Sequence, residues 1–322
     1  MRSLRLHDNM NGMTKRLSTA LATRGHTEAL KDGSVKPRTF DFAFEEVPVI
    51  IKAFRRMVRS QDFDICELAM TTYLCARAYG KPFTAVLVFP MRAFHHGAIV
   101  YNTKSGIRSP KDLEGRRVGV NRGYTVTTGV WARSILQHEH GVDLGAVTWV
   151  LSGDEHVAEY QPPSNVVPIE PGATIEQLLM SGELAAAIGV QVESPDVKPL
   201  IPNAEDAGFD ALRQRGHYPI NHTVVVRNDV LDANPELAAD LFAAFADAKR
   251  RYIDKLTSGR IDAPDPVHVR VMEIAGDPLP YGIEPNRKML DSIVRYAVEQ
   301  RILPRPFAVE ELFAPSTHAL RA

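Results

Sequence analysis

A largely apolar run, Phe83 to Val88, passes without a break into Phe89-Pro90-Met91-Arg92-Ala93-Phe94-His95-His96. This junction constrains the chain more than any other stretch. A run of this length and composition predicts a buried strand. Two imidazoles and a guanidinium at its C-terminal edge are costly to bury, so they are expected to face a cleft. A second histidine motif, His217-Tyr218-Pro219-Ile220-Asn221-His222, precedes another apolar strand, Thr223 to Val226. Together the two motifs predict one polar pocket that recognises an anion and moves protons. That is the chemistry of an enzyme or binder of small carboxylates.

The rest of the chain alternates helical and extended patterns, as expected of an α/β protein. Strands are predicted over 17–23, 63–68, 83–89 and 97–101, with a helix over 44–58 and a short one over 71–79. Val47, Ile50, Ile51 and Phe54 share one face of the longer helix. A second lobe is predicted to begin near Ser109-Pro110, with strands over 117–120, 147–151 and 184–190 and helices over 127–138 and 174–179. Residues 161–172 hold four prolines and read as a surface loop. Residues 191–216 read as an irregular crossing back. The strand over 223–226 and the helices over 235–256 and 284–300 then rejoin the first lobe. The expected organisation is an N-terminal extension (1–15), a discontinuous lobe one (16–108 and 217–322) and a lobe two (109–216). Two crossings leave a ligand cleft between the lobes and favour hinge closure.

Composition narrows the function. A chain of 322 residues suits two lobes, and a net charge of -1 gives no electrostatic argument for nucleic acid or a membrane surface. No window approaches the length of a spanning helix. Cys66 and Cys75, the only cysteines, argue for a reducing compartment. Residues 1–15 lack the apolar core of a secretory signal, so a cytoplasmic location is expected. Gly115-Arg116-Arg117-Val118-Gly119 lacks the glycine spacing of a nucleotide loop, and no cofactor is expected. The expected partner is a small-molecule carboxylate, and a homo-oligomer is compatible with the sequence.

Several segments, in order, carry a resemblance. They are Phe63-Asp64-Ile65-Cys66-Glu67, Thr71-Thr72-Tyr73, and Phe89-Pro90 with Arg92, Phe94 and His96. They continue with Asp112-Leu113-Glu114-Gly115-Arg116-Arg117-Val118-Gly119-Val120 and with Pro219 followed by His222-Thr223-Val224-Val225. The last are Pro280-Tyr281-Gly282-Ile283-Glu284-Pro285-Asn286-Arg287 and Glu310-Glu311-Leu312-Phe313-Ala314-Pro315. With these motifs the chain resembles the 4,5-dihydroxyphthalate decarboxylase family, a cytoplasmic branch of the type 2 periplasmic-binding-protein fold. The resemblance implies a two-lobed α/β fold with a cleft between lobes. Departures stand at Thr23-Arg24-Gly25-His26-Thr27, where the family tends to carry an Asp-Tyr-Asp-Arg-Thr-like loop, and at His95, where it carries Arg. Gly153-Asp154-Glu155 keeps part of an acidic glycine loop without the Arg expected after it, and residues 190–194 lack the expected Thr-Arg.

Among single residues, His96 is the first candidate for a general acid, with His222 as the partner acid or base. A histidine at a strand end also serves simply by donating to a backbone carbonyl. His95 points the other way if the strand continues. Arg92 suits a bidentate carboxylate clamp, or a surface ion pair. Arg287 opens a helix and either reaches the cleft or pairs with Glu284. Glu67 is a candidate cleft carboxylate, or a structural hydrogen-bond acceptor. Thr71 and Thr72 begin one helix, and Tyr124, Thr127 and Thr128 stand where another begins. Helix N-termini from the two lobes would clamp a dicarboxylate, although ordinary capping asks for the same residue types. The four histidines and Glu67 match no compact metal-ligand spacing. Asp154 and Glu155 read as solvated loop charges, and Trp131 and Trp149 as the core of lobe two.

Two functional readings follow. The first is a cofactor-independent decarboxylase of a hydroxylated aromatic carboxylate, in which His96 or His222 protonates the ring carbon and CO2 departs. The second is a non-catalytic solute-binding protein or sensor built on the same cleft. A lyase or hydrolase acting on a related acid is a third.

Overall fold

The computed structural model describes residues 15–322, so the expected N-terminal extension lies almost wholly outside the described residues. Eleven strands form two sheets. The first sheet has the order β2-β1-β3-β11-β4 and comprises β1 (Lys15–Ala20), β2 (Phe40–Phe44), β3 (Ile65–Ala69), β4 (Phe83–Arg92) and β11 (Ile220–Arg227). The second has the order β10-β5-β9-β6-β7-β8. It comprises β5 (Ile99–Asn102), β6 (Arg117–Val120), β7 (Thr148–Leu151), β8 (Val166–Pro168), β9 (Ala186–Ile188) and β10 (Val197–Pro199). The helices are α1 (Glu28–Lys31), α2 (Ile51–Ser60), α3 (Met70–Ala78), α4 (Thr127–His140), α5 (Ile175–Ser181) and α6 (Ala204–Arg215). They continue with α7 (Asn228–Ala233), α8 (Leu237–Thr257), α9 (Pro266–Ala275) and α10 (Arg287–Glu299).

The return strand β11 runs antiparallel between β3 and β4 at the centre of the first sheet. Its residues Val224, Val225 and Val226 are wholly buried, as a strand flanked on both edges requires. Strand β4 is an edge, and there Pro90 can lack an N–H without leaving a ladder acceptor unpaired. The β4–β11 register jumps on both sides of His222, from Arg92 opposite Ile220 to Met91 opposite His222 and then Val86 opposite Val224. Such a bulge re-aims side chains and is common beside functional sites.

Four expectations change. The helix expected over 44–58 begins only at Ile51, because Phe40–Phe44 pairs with β1 as strand β2. The strand expected with lobe one at 97–101 forms as β5 but pairs with β9 and β10 in the second sheet. The chain therefore leaves the first sheet after Arg92, ahead of Ser109. The four-proline loop contains a short strand, β8. The crossing at 191–216 contains β10 and the twelve-residue α6. Gly208 interrupts the apolar pattern of α6. A Cβ there would stand 2.6 Å from the Phe94 ring, so the glycine lets α6 seat closely on Phe94.

Trp131 and Trp149 are fully buried. Trp149 stays within lobe two, donating to the Leu144 carbonyl at 3.1 Å, whereas Trp131 reaches the other lobe and donates from Nε1 to the Ile220 carbonyl at 3.0 Å. Helix α3 is buried nearly throughout, because it lies against β11, α4 and α10.

Candidate active site

The ends of β3 and β4, the start of β11 and the loops after β1, β6 and β7 converge on a cavity of about 270 Å³. One wall is apolar, built from Ile50, Ile51, Phe54 and Met91. Lobe one contributes Arg24, Thr72, Asn221 and His222, and lobe two Arg122, Thr127, Thr128 and His156. A larger cavity of about 740 Å³ lies on the far side of Arg24 and Met91. Its buried polar groups already satisfy one another: Tyr252 Oη stands 2.8 Å from His268 Nδ1, and His26 Nε2 is 2.9 Å from the Pro90 carbonyl.

The strand register builds the central pair. His222 stands opposite Ala69 and Val224 opposite Glu67, so His222 and Glu67 are diagonal neighbours on one face of the sheet. His222 Nδ1 donates to Glu67 Oε1 at 2.5 Å. Arg24 grips the same carboxylate from the loop after β1, with Nη2 at 2.6 Å from Oε1 and Nη1 at 2.9 Å from Oε2. The Ala22 N–H adds a fourth bond at 3.1 Å. Burial opposes ionisation of Glu67. The hydrogen bond and charge of His222, then those of Arg24, outweigh it and hold the carboxyl well below its usual range. Both Glu67 oxygens are thus occupied by protein donors. His222 Nε2 has no hydrogen-bond partner among the described residues, and the ring meets Phe54 edge-on at 5.0 Å.

Lobe two supplies a second arginine. Arg122 follows β6 with φ of 72°, a left-handed conformation held by Ser152 Oγ accepting its N–H at 2.7 Å. Its guanidinium makes no ion pair among the described residues, and its buried Nε has no partner. Burial alone lowers its pKa. The turn before α4 is closed by Glu155, which accepts from the backbone of Tyr124 and from the N–H and hydroxyl of Thr125, at 3.1 and 2.6 Å for the latter two. Glu155 is therefore a structural acceptor and not a solvated charge. Asp154 is exposed but paired with Arg55 and Arg59 of α2, at 2.6 and 2.8 Å. The two helix starts face each other directly: Thr71 donates from N to Thr127 Oγ1 at 3.1 Å and from Oγ1 to the Thr125 carbonyl at 2.6 Å.

The chain as a whole is similar to known proteins. The NMT1/THI5-like family model matches residues 52–255. A 4,5-dihydroxyphthalate decarboxylase of Comamonas testosteroni is 30% identical over 326 aligned residues, covering 94% of this chain and 97% of the relative. The chain belongs to the 4,5-dihydroxyphthalate decarboxylase family. A second member, from Pseudomonas putida, is 35% identical over 213 residues, which is 61% of this chain and 81% of that one. The periplasmic aliphatic sulphonate binding protein SsuA of Escherichia coli superposes with a TM-score of 0.53 at 12% identity, over 95% of this chain and 99% of that one. This likeness shows the fold, the two-lobed periplasmic-binding-protein architecture.

Within the family frame, the residues expected from sequence divide into two groups. His222, Thr72, Thr127 and Thr128 line the cavity, while Thr71 and Glu67 stand directly behind it. His95, wholly behind the wall, meets Asn221 Oδ1 at 3.0 Å, and burial pushes its pKa down to about 4. The others are elsewhere. His96 starts the turn before β5 and meets Glu139 Oε2 of α4 at 3.0 Å, because the chain has already crossed toward lobe two there. Arg92 spends its guanidinium on the Tyr218 carbonyl at 2.7 Å, the Pro280 carbonyl at 3.3 Å and the Asn286 side chain. Tyr124 lies under the Arg133 guanidinium, 3.8 Å from ring centre, outside the cavity. Arg287 is half-buried and pairs with Glu310 at 2.5 Å, not with Glu284. Among the described residues, no three His, Cys, Asp or Glu side chains gather as a metal site.

Arg24, Arg122, His156 and Asn221 were not expected in the site. The first three follow the C-terminal ends of β1, β6 and β7, strands in parallel pairs. The rule that singled out the Arg92 to His96 junction, applied to each strand end in turn, identifies them.

Proposed function

We propose that the protein is a cofactor-independent decarboxylase of a hydroxylated aromatic dicarboxylate, with 4,5-dihydroxyphthalate the first candidate. The observation that carries this reading is the Arg24–Glu67–His222 chain, which leaves one imidazole nitrogen facing a cavity of ring size in a member of this family. Arg122 would hold a carboxylate, being a guanidinium without a protein partner. Glu67 orients the His222 ring and balances its charge while Nε2 carries a proton. His222 then delivers that proton to the ring carbon bearing a carboxylate, forming C–H. The C–CO2 bond breaks, its electron pair returns to the ring, and CO2 leaves. His222 recovers a proton from solvent. The apolar wall excludes water from the dearomatised intermediate. The free, buried Cys66 and Cys75 agree with a cytoplasmic setting.

The test is CO2 release from 4,5-dihydroxyphthalate by the purified protein, with and without a chelator. His222→Gln is expected to slow release about 100-fold or more, the usual weight of a general acid. Arg122→Ala is expected mainly to raise KM, and more for dicarboxylates than for monocarboxylates. No release from any hydroxylated aromatic acid, together with a rise in melting temperature on adding one, would overturn the decarboxylase reading in favour of a binding protein.

A further inference from the structure

The cavity contains a second imidazole that this scheme leaves idle. His156 follows β7 in lobe two and is 6% exposed. Its Nδ1 lies 3.4 Å from Thr72 Oγ1, at the start of α3 in lobe one. Its Nε2 has no partner among the described residues. His156 and His222 thus share one plan: each turns Nδ1 to a protein group and leaves Nε2 to the cavity. The Phe54 ring stands between them, meeting His222 at 5.0 Å and His156 at 6.3 Å, edge-on in both cases.

The surroundings of the two rings differ. His222 rests on a buried carboxylate. His156 is ringed by cations: Arg55 and Arg59 from α2 and Arg122 from the loop after β6, with Asp154 opposing them. Burial first, then these guanidiniums, push its pKa down to about 4, so before a ligand binds the ring is neutral at physiological pH. Two titratable groups whose surroundings differ in this way mark out a donor and an acceptor. Thr72 can accept from Nδ1–H, which leaves the lone pair on Nε2. A ligand carboxylate against Arg122 cancels part of the cationic push and makes that lone pair more basic once the substrate is bound.

Building on the decarboxylase reading, we propose that His156 is the general base of this cavity, its Nε2 taking the proton of the ring hydroxyl para to the departing carboxylate. The O–H pair stays on oxygen and moves into the ring as His222 Nε2 delivers its proton to the carbon at the other end. When CO2 leaves, the C–C pair restores the aromatic ring and the phenolate. His156 then returns its proton to that oxygen. His156 ends as it began, and the reaction consumes only the proton supplied by His222. Substrates need a hydroxyl para to a carboxylate, as in 4,5-dihydroxyphthalate and 4-hydroxyphthalate.

The test separates ionisation from turnover. The ultraviolet band of bound 4-hydroxyphthalate reports phenolate formation, and CO2 release from 4,5-dihydroxyphthalate reports chemistry. Wild type is expected to bind 4-hydroxyphthalate as the phenolate below the pH at which the free phenol ionises. His156→Gln should lose that band, keep affinity within about threefold and slow CO2 release about 100-fold. Its rate should recover at high pH, where substrate arrives already ionised. His222→Gln should keep the band and lose turnover at every pH. Thr72→Val keeps the imidazole but frees it, and should weaken the band without abolishing it. A phenolate band that survives in His156→Gln, or wild type binding the neutral phenol, overturns the assignment while leaving decarboxylation standing. A band that depends on His156 in a protein releasing no CO2 supports the base and refutes the decarboxylase reading instead.

Discussion

At the scale of single residues, the site depends on which polar atoms remain free after the fold has used the rest. Glu67 has no free oxygen, and in the proposed reaction its part is to fix His222. Glu67→Gln should therefore cost about 100-fold or more in kcat by releasing the ring into wrong orientations, with KM nearly unchanged; steady-state kinetics check it. His96 makes the complementary case. His96→Ala should lower the melting temperature by removing the Glu139 contact while leaving kcat within about threefold. A loss of turnover there would return the proton donor to His96. Sequence revealed that histidines, a glutamate and hydroxyls meet at strand ends, and His222, Thr72, Thr127 and Thr128 do line the cavity. It could not reveal which histidine faces the cavity, because that turns on the bulge at His222 and on the chain crossing lobes between Arg92 and Ile99. Neither leaves a local signature in residue types.

At the scale of elements, α2 and the 152–156 loop close the cavity from opposite lobes. Asp154 takes Arg55 and Arg59, and Arg59 also donates to the Glu155 and His156 carbonyls at 2.7 and 3.2 Å. These side chains are largely exposed, so each pair stabilises weakly and is screened by salt. Asp154→Asn should weaken ligand affinity by about two- to fivefold at low ionic strength, with the difference vanishing near 1 M salt; calorimetric titration at both conditions checks it. The alternation of strands and helices was legible because buried strands and amphipathic helices carry their own periods. Helix α6 was not, since its pattern is broken by Gly208 for the sake of Phe94. Nor was the sheet to which β5 belongs, since a short apolar strand suits either sheet until its partners are known.

At the scale of the whole molecule, many imidazoles are buried with too little negative charge nearby to offset the burial. His26 is pushed down to about 3, and His95, His156 and His217 to about 4, burial being the leading cause in each. The unfolded chain binds these protons below the ordinary value of 6.5 while the folded one does not. Stability should be full above pH 6.5 and decline as pH falls toward 4, and Glu67, also held low, adds to the loss below its ordinary 4.5. Melting temperature followed from pH 8 to 4 checks the slope; a flat profile would mean that these rings take up protons in the folded state. The insertion of β11 between β3 and β4 has a consequence during synthesis. Roughly 150 residues separate Ala69 from Ile220, on the order of ten to thirty seconds of translation. Throughout that interval β3 and β4 wait with no strand between them, and the apolar Phe83–Phe89 stretch is open to other nascent chains. Yield in the cell should therefore respond to chaperone supply and growth temperature more than the stability of the finished protein suggests.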